Sequence, residues 1–145
     1  MKSLLTVIAL TLSISSYANT AATAPAAAPK VDCTKEETFP QVTTAELEKI
    51  AAQKDAVVVD VNSADSFKKE HVTNAIHFAE VKNKFASVLP KDKNAPIVAY
   101  CGGPECGAWK KAATEACKMG YTNIKHYKEG IMGWSKAHPK AKTKS

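Results

Sequence analysis

Two apolar runs constrain this chain more than any other feature: "AVVVDV" (Ala56–Val61) and "APIVAY" (Ala95–Tyr100). Both are nearly continuous, and the first is β-branched through its centre. A strand with one wet face alternates apolar and polar residues; a strand buried on both faces need not. Each run is followed by turn residues and then a helix-like stretch. That order, strand–loop–helix repeated, predicts a parallel α/β sheet with helices on both faces. Two shorter strands fit the pattern, "AIHF" (Ala75–Phe78) and "NIKHY" (Asn123–Tyr127).

The intervening segments read as helices. In "TTAELEKIAAQ", Leu47, Ile50 and Ala51 recur at helical spacing, with Thr44 as the expected N-cap. "SADSFKKEH" is a short helix capped by Ser63. "AEVKNKFASVL" places Val81, Phe85, Val88 and Leu89 on one side, and Pro90 ends it. "AWKKAATEACKM" gathers Trp109, Ala112, Ala113, Ala116 and Cys117 on one face, with Gly120 past its end. "EGIMGWSKA" closes with a turn and a short helix.

The ends of the chain differ from its body. Residues 1–18 read as a secretory signal: Lys2, an apolar centre "LLTVIALTLSI", then small residues ending at Ala18. Residues 19–30 are almost entirely Ala, Thr and Pro, too poor in large side chains to build a core, and read as a disordered tether. The folded domain is expected over 31–139, with a basic tail at 140–145. Much of the formal charge of +6 lies in "KAHPKAKTKS", which carries no acid. Export and the lack of interleaved aromatics argue against nucleic acid as a partner. The apolar start is too short for stable membrane insertion after cleavage, so the expected location is periplasmic or secreted. In such a compartment Cys33, Cys101, Cys106 and Cys117 meet oxidising conditions, and four cysteines allow three complete pairings.

The chemistry concentrates in "YCGGPECGAW" (Tyr100–Trp109). In parallel sheets the working site lies beyond the C-terminal ends of the strands, and this loop occupies such an end. Cys101 sits where a buried strand gives way to a loop and a helix N-terminus. Backbone N–H groups of a curled loop and the helix dipole both favour a thiolate, the reactive form of cysteine. Gly102, Gly103 and Gly107 give the loop its backbone freedom.

These residues resemble the cradle loop of a single-domain rhodanese. The resemblance extends to "DVNSADSFKKEHVTNAIHF", where Asp60, Val61, Phe67, His71, Val72 and Ala75 fit the family pattern. It extends also to "GYTNIKHYKEGIMGW", with Gly120, Tyr121, Gly130 and Trp134 in place. It implies a three-layer α/β/α domain with a central parallel sheet of about five strands. It implies that Cys101 carries sulfane sulfur as a persulfide. Gly102, Gly103, Glu105, Cys106 and Gly107 would bind the substrate. It requires no metal or organic cofactor. The implied partners are a small sulfur compound (thiosulfate, a persulfide or a polysulfide) and a thiol or protein acceptor.

The chain departs from that pattern at defined places. Asn62 stands for an Arg and Ser66 for the Glu that pairs with it, so no orphan charge results. Glu70 and Asn74 stand for two glycines. The loop contains no cation and instead holds Glu105, which opposes the backbone dipoles and repels thiosulfate. The phosphatase-like relatives of this fold end a longer loop in Arg, Cys-x5-Arg; position six here is Gly107, which argues against phosphate-ester chemistry. Cys106 raises an alternative function, a periplasmic thiol–disulfide redox protein using Cys101 and Cys106. A third reading is a binding module on this fold without turnover.

For the remaining residues, the reading is structural. Cys117 is expected as a packed core thiol, and Cys33 as either its disulfide partner or an exposed thiol. His71 is expected to hold a turn. His77 and His126 read as strand residues, and Trp109 and Trp134 as packing. Asp60 is expected either to orient the loop or to cap the following helix.

Overall fold

A computed structural model describes residues 31–139. The expected leader (1–18), tether (19–30) and basic tail (140–145) lie outside the described residues. Strands β1 (Val57–Asp60), β2 (Ile76–His77), β3 (Ile97–Tyr100) and β4 (Ile124–His126) form one sheet in the order β2-β1-β3-β4. All three pairings are parallel. Around it lie α1 (Thr44–Ala51), α2 (Ala64–Lys69), α3 (Phe78–Val81), α4 (Phe85–Val88), α5 (Lys110–Lys118) and α6 (Gly130–Ala137).

The two long apolar runs do become the central strands, and their residues divide between two cores by strand alternation. Val58, Val98 and Tyr100 join Leu47 and Ile50 of α1 and Trp134 of α6 in one cluster. Val59, Ile97 and Ala99 join Trp109, Ala112, Ala113 and Ala116 in the other, with Phe39, Phe78 and Phe85. Phe85 meets Phe78 edge-on at 5.1 Å between ring centres. A run with no polar interruption is thus what a strand covered on both faces requires.

The sheet has four strands rather than five. The fifth position is reduced to a single parallel bridge, Gln41 to His126. His126 N donates to Pro40 O and Val42 N donates to His126 O. Only residues 39–42 separate a 3₁₀ turn (Glu36–Thr38) from the helix cap at Thr43, and Pro40 has no N–H to extend the ladder.

Two helix expectations are corrected. Thr43, not Thr44, caps α1: its side chain accepts from Glu46 N while Glu46 accepts from Thr43 N, a reciprocal capping box. The stretch 79–89 is not one helix but α3, a 3₁₀ turn at Lys82–Lys84 and α4. Phe78, Phe85 and Leu89 are buried there, whereas Val81 and Val88 are only half-buried. Ser63 caps α2 as expected. Of the two glycine replacements, Asn74 takes a left-handed φ of 62°, which Asn tolerates. Glu70 has φ −165°, extended backbone open to any residue.

Candidate functional site

The register fixes the site. Asp60 pairs with Tyr100 on one side and with His77 on the other, so these residues form one row at the C-terminal edge of the sheet. The chain leaves that row at Cys101, which is buried, and turns through Gly102–Gly107 into α5. Cys106 N donates to Gly103 O, closing a turn that brings Cys106 back toward Cys101. The two are joined in a disulfide, with Cα atoms 6.2 Å apart. Cys101 Sγ also lies 3.1 Å from the Cys106 carbonyl oxygen.

The loop is held from behind by α6. Ile131 N donates to Cys101 O and Met132 N to Gly102 O. Two loop carbonyls therefore point at a helix N-terminus rather than into the site. Gly130 makes this approach possible: a Cβ there would lie 2.5 Å from Cys101 O and 2.6 Å from Gly103 N. Its φ of +58° lies in the left-handed region that favours glycine. The N–H groups of Gly102, Gly103, Glu105 and Gly107 donate to no acceptor among the described residues. The site is thus rich in free donors at the positive end of α5, an arrangement that favours an anion.

A second network braces the loop from the sheet. Asp60 is fully buried, accepting from Asn62 N at 2.7 Å and from the Tyr100 hydroxyl at 2.5 Å. The same hydroxyl accepts from Val72 N at 2.9 Å. Burial, and then the charge of Asp60, push the Tyr100 phenol far above its ordinary value, so it stays a donor. Among the described residues Asp60 makes no hydrogen bond to Cys101–Gly107 and does not cap α2; its bond is to Tyr100, the residue before Cys101. Asn62 lies beside the loop, its Oδ1 3.8 Å from where a Cβ on Gly102 would sit. Its Nδ2 is buried with no partner among the described residues.

An open cleft of about 440 Å³ fronts the loop, lined by Gly102, Gly103, Pro104, Glu105, Cys106 and Met132. Met132 is 69% exposed, which makes the mouth apolar on one side. Glu105 is exposed at the rim. The cation missing from the loop stands one turn later. Lys110 Nζ lies 3.5 Å from the place a Cβ on Gly107 would occupy, and it is paired with Glu36.

A family model described as a rhodanese-like domain matches residues 43–137. The chain belongs to the rhodanese-like family. Among its relatives, the uncharacterized protein YibN of Escherichia coli (strain K12) is 31% identical over 97 residues. That match covers 65% of this chain and 66% of YibN, so the chain spans about two thirds of that relative. A Coxiella burnetii protein named thiosulfate sulfurtransferase GlpE is 26% identical over 101 residues, covering 70% of this chain and 92% of its own. The human single-domain sulfurtransferase TSTD1 superposes with a TM-score of 0.52 at 20% identity, covering 70% of this chain and 98% of that one, a likeness of fold.

Within this rhodanese-like domain, Gly102, Gly103, Glu105 and Cys106 of the residues expected at the site line the cleft, whereas Cys101 is bridged to Cys106 and neither Cys101 nor Gly107 is part of the lining. Cys117 is not a free core thiol but is bridged to Cys33, with Cα atoms 5.6 Å apart. His71 does hold its turn, its Nδ1 meeting Phe67 O at 2.8 Å. His77 is buried, with Nε2 3.0 Å from Asn62 O and Nδ1 3.3 Å from Glu80. Trp109 faces the core, stacked on His126 at 3.7 Å, and not the cleft. Burial pulls the His126 imidazole down to about 4, so it stacks as a neutral ring. Sequence reading gave no site role to Tyr100, Met132 or Lys110. Tyr100 had a signal, since it ends a buried run directly before the cysteine, and Lys110 had one in standing three residues after Gly107; Met132 meets the loop only through the fold.

Proposed function

We propose that this domain is a sulfurtransferase or sulfane-sulfur carrier in which Cys101 accepts sulfur as a persulfide. One observation carries the reading: a buried cysteine at the end of the central strand, within a loop whose free N–H groups adjoin the start of α5. The relative named thiosulfate sulfurtransferase supports it. The reaction starts from the dithiol form. The Cys101 thiolate attacks the outer sulfur of thiosulfate and sulfite leaves, or it takes sulfur from a persulfide or polysulfide and the donor thiolate leaves. The resulting Cys–S–S⁻ lies among the loop donors, which disperse its charge. A thiol or protein acceptor then takes the outer sulfur. Read as a secretory signal, the sequence of residues 1–18 supports an exported setting for this chemistry, in the periplasm or outside the cell.

The Cys101–Cys106 bridge favours a second reading, thiol–disulfide exchange at the same loop. The test separates them. After reduction and removal of reductant, a sulfane-sulfur donor should add about 32 Da to Cys106→Ser, which cannot re-form the loop bridge, and the gain should vanish in Cys101→Ser. No gain in reduced Cys106→Ser, together with no hydrosulfide release from the reduced wild-type protein, would sink the persulfide reading.

A further inference from the structure

The two loop cysteines differ in exposure. Cys101 is 2% exposed, whereas Cys106 is only half-buried and lines the open cleft. The turn closed by Cys106 N to Gly103 O keeps them within bonding reach. The other two cysteines are committed to each other at the far side of α5, so Cys106 has one partner within the fold.

From this geometry we infer that the domain reduces sulfane sulfur to hydrosulfide, with Cys106 as the resolving thiol; the inference rests on persulfide formation at Cys101. Once Cys101 carries Cys–S–S⁻, the Cys106 sulfur attacks Cys101 Sγ. The Sγ–S bond breaks and its electron pair leaves with the outer sulfur, which takes the Cys106 proton as HS⁻. The Cys101–Cys106 disulfide forms. The outer sulfur gains two electrons and the cysteine pair loses two, so the step balances without a further oxidant.

An external dithiol then restores the pair. It attacks Cys106, the sulfur reachable from the cleft, and Cys101 departs as the thiolate. The free N–H groups around Cys101 stabilise that leaving group, and a better-stabilised thiolate leaves faster. Attack in the opposite sense would have to reach the sulfur that the bridged form buries and expel the less stabilised one. With thiosulfate as donor, the cycle converts thiosulfate and a dithiol to sulfite, hydrosulfide, a disulfide and one proton. The apolar rim formed by Pro104 and Met132, with Glu105 beside it, admits an organic dithiol more readily than a dianion.

The bridge also explains a loop residue that simple transfer does not need. A sulfur carrier that hands its sulfur to an outside thiol gains nothing from a second cysteine at the cradle. A resolving cysteine converts the carrier into a reductase and leaves the site closed until a reductant returns.

The experiment uses the full folded chain, reduced, desalted and given excess thiosulfate without any added thiol. Hydrosulfide release is followed with time, and acid-quenched samples are mapped by peptide mass. Wild type should release one hydrosulfide per chain and accumulate the Cys101–Cys106 disulfide. Cys106→Ser should hold the gain of about 32 Da on Cys101 and release hydrosulfide at least about tenfold more slowly, since it loses the intramolecular advantage. Added dithiothreitol should make wild-type release catalytic. A persulfide that persists in wild type as long as in Cys106→Ser overturns the inference and leaves persulfide formation intact. The absence of both persulfide and hydrosulfide in both proteins overturns the inference together with the reading beneath it. Should Cys106→Ser fold poorly, the wild-type peptide map decides alone: hydrosulfide without a Cys101–Cys106 disulfide overturns the resolving role.

Discussion

Gly130 packs its bare α-carbon against the peptide that follows Cys101, so closely that a Cβ would stand 2.5 Å from Cys101 O and 2.7 Å from Gly102 C. That contact lets Ile131 and Met132 donate to the carbonyls of Cys101 and Gly102. The cradle is therefore shaped by α6 as much as by its own glycines.

Gly130→Ala tests this dependence. Alanine must both adopt the left-handed φ and displace backbone atoms, which should destabilise the fold by about 2–3 kcal/mol. Sulfur loading of Cys101 should fall further than stability does, because the displaced atoms belong to the loop. Thermal melts and the rate of persulfide formation at a temperature where the variant is still folded check both parts. Gly120→Ala is the control: it too has a positive φ, 88°, but nothing lies within 4 Å, so it should lose stability without a specific loss of loading.

Tyr100→Phe should be costly although it removes one atom. It strands Asp60 Oδ2 and Val72 N, both served by that hydroxyl, while Asp60 Oδ1 keeps Asn62 N. Leaving buried groups unsatisfied, one of them charged, predicts a loss of about 2–4 kcal/mol in urea unfolding. Because Tyr100 precedes Cys101, alkylation of the reduced Cys101 should also accelerate. Asp60→Asn keeps an acceptor for the hydroxyl and should lose less.

The four strands, their parallel direction and the position of Cys101 were legible because they follow from local pattern: continuous β-branched runs, glycines at a strand end, a cap at Ser63. What the sequence hid depends on contacts between distant segments. Asp60 looked like a cap or a loop ligand, since nothing local marks its bond to Tyr100, forty residues on. Cys117 lay among alanines on a buried face, the setting of an inert thiol, until the fold brought Cys33 beside it. The missing fifth strand has the same origin. Pairing at Gln41 is curtailed by the neighbouring turn and cap, and no hydrophobic count reveals that.

The Cys33–Cys117 bridge closes a separation of 84 residues and ties the start of the described chain to α5. Chain entropy predicts a stabilisation of about 3–5 kcal/mol from a bridge of that span. The double variant Cys33→Ala/Cys117→Ala should lose about this much by denaturant unfolding under non-reducing conditions. It should still load sulfur on Cys101 at a temperature well below its melt, since neither cysteine lines the cleft.

Stability should fall in mild acid through His126. Burial lowers its folded-state value from 6.5 to about 4, aided by Lys128 and Lys110 and opposed by Glu36. The unfolded chain therefore binds the proton first. The contribution is complete above about pH 6.5 and is lost as pH falls toward 4, with at most about 3 kcal/mol at stake. His126→Phe keeps a ring against Trp109 and should flatten the slope of melting temperature against pH between those values. An unchanged slope would mean that His126 takes up its proton without disturbing the fold.

The rim charge should set the choice of donor. Glu105 is exposed beside the loop, and the nearby Lys110 is already paired with Glu36. A dianion approaching the cleft thus meets an acid whose effect no free loop cation offsets. Glu105→Arg reverses that charge where a surface pair of charges is worth about 1 kcal/mol, so loading from thiosulfate should rise roughly fivefold to tenfold at low salt. The gain should shrink as ionic strength rises, because screening acts on exposed charges. Loading from a neutral organic polysulfide should change little. Parallel kcat/KM measurements with both donors at low and high salt check the argument. Equal gains for the charged and the neutral donor would show that residue 105 acts through loop conformation and not through its field.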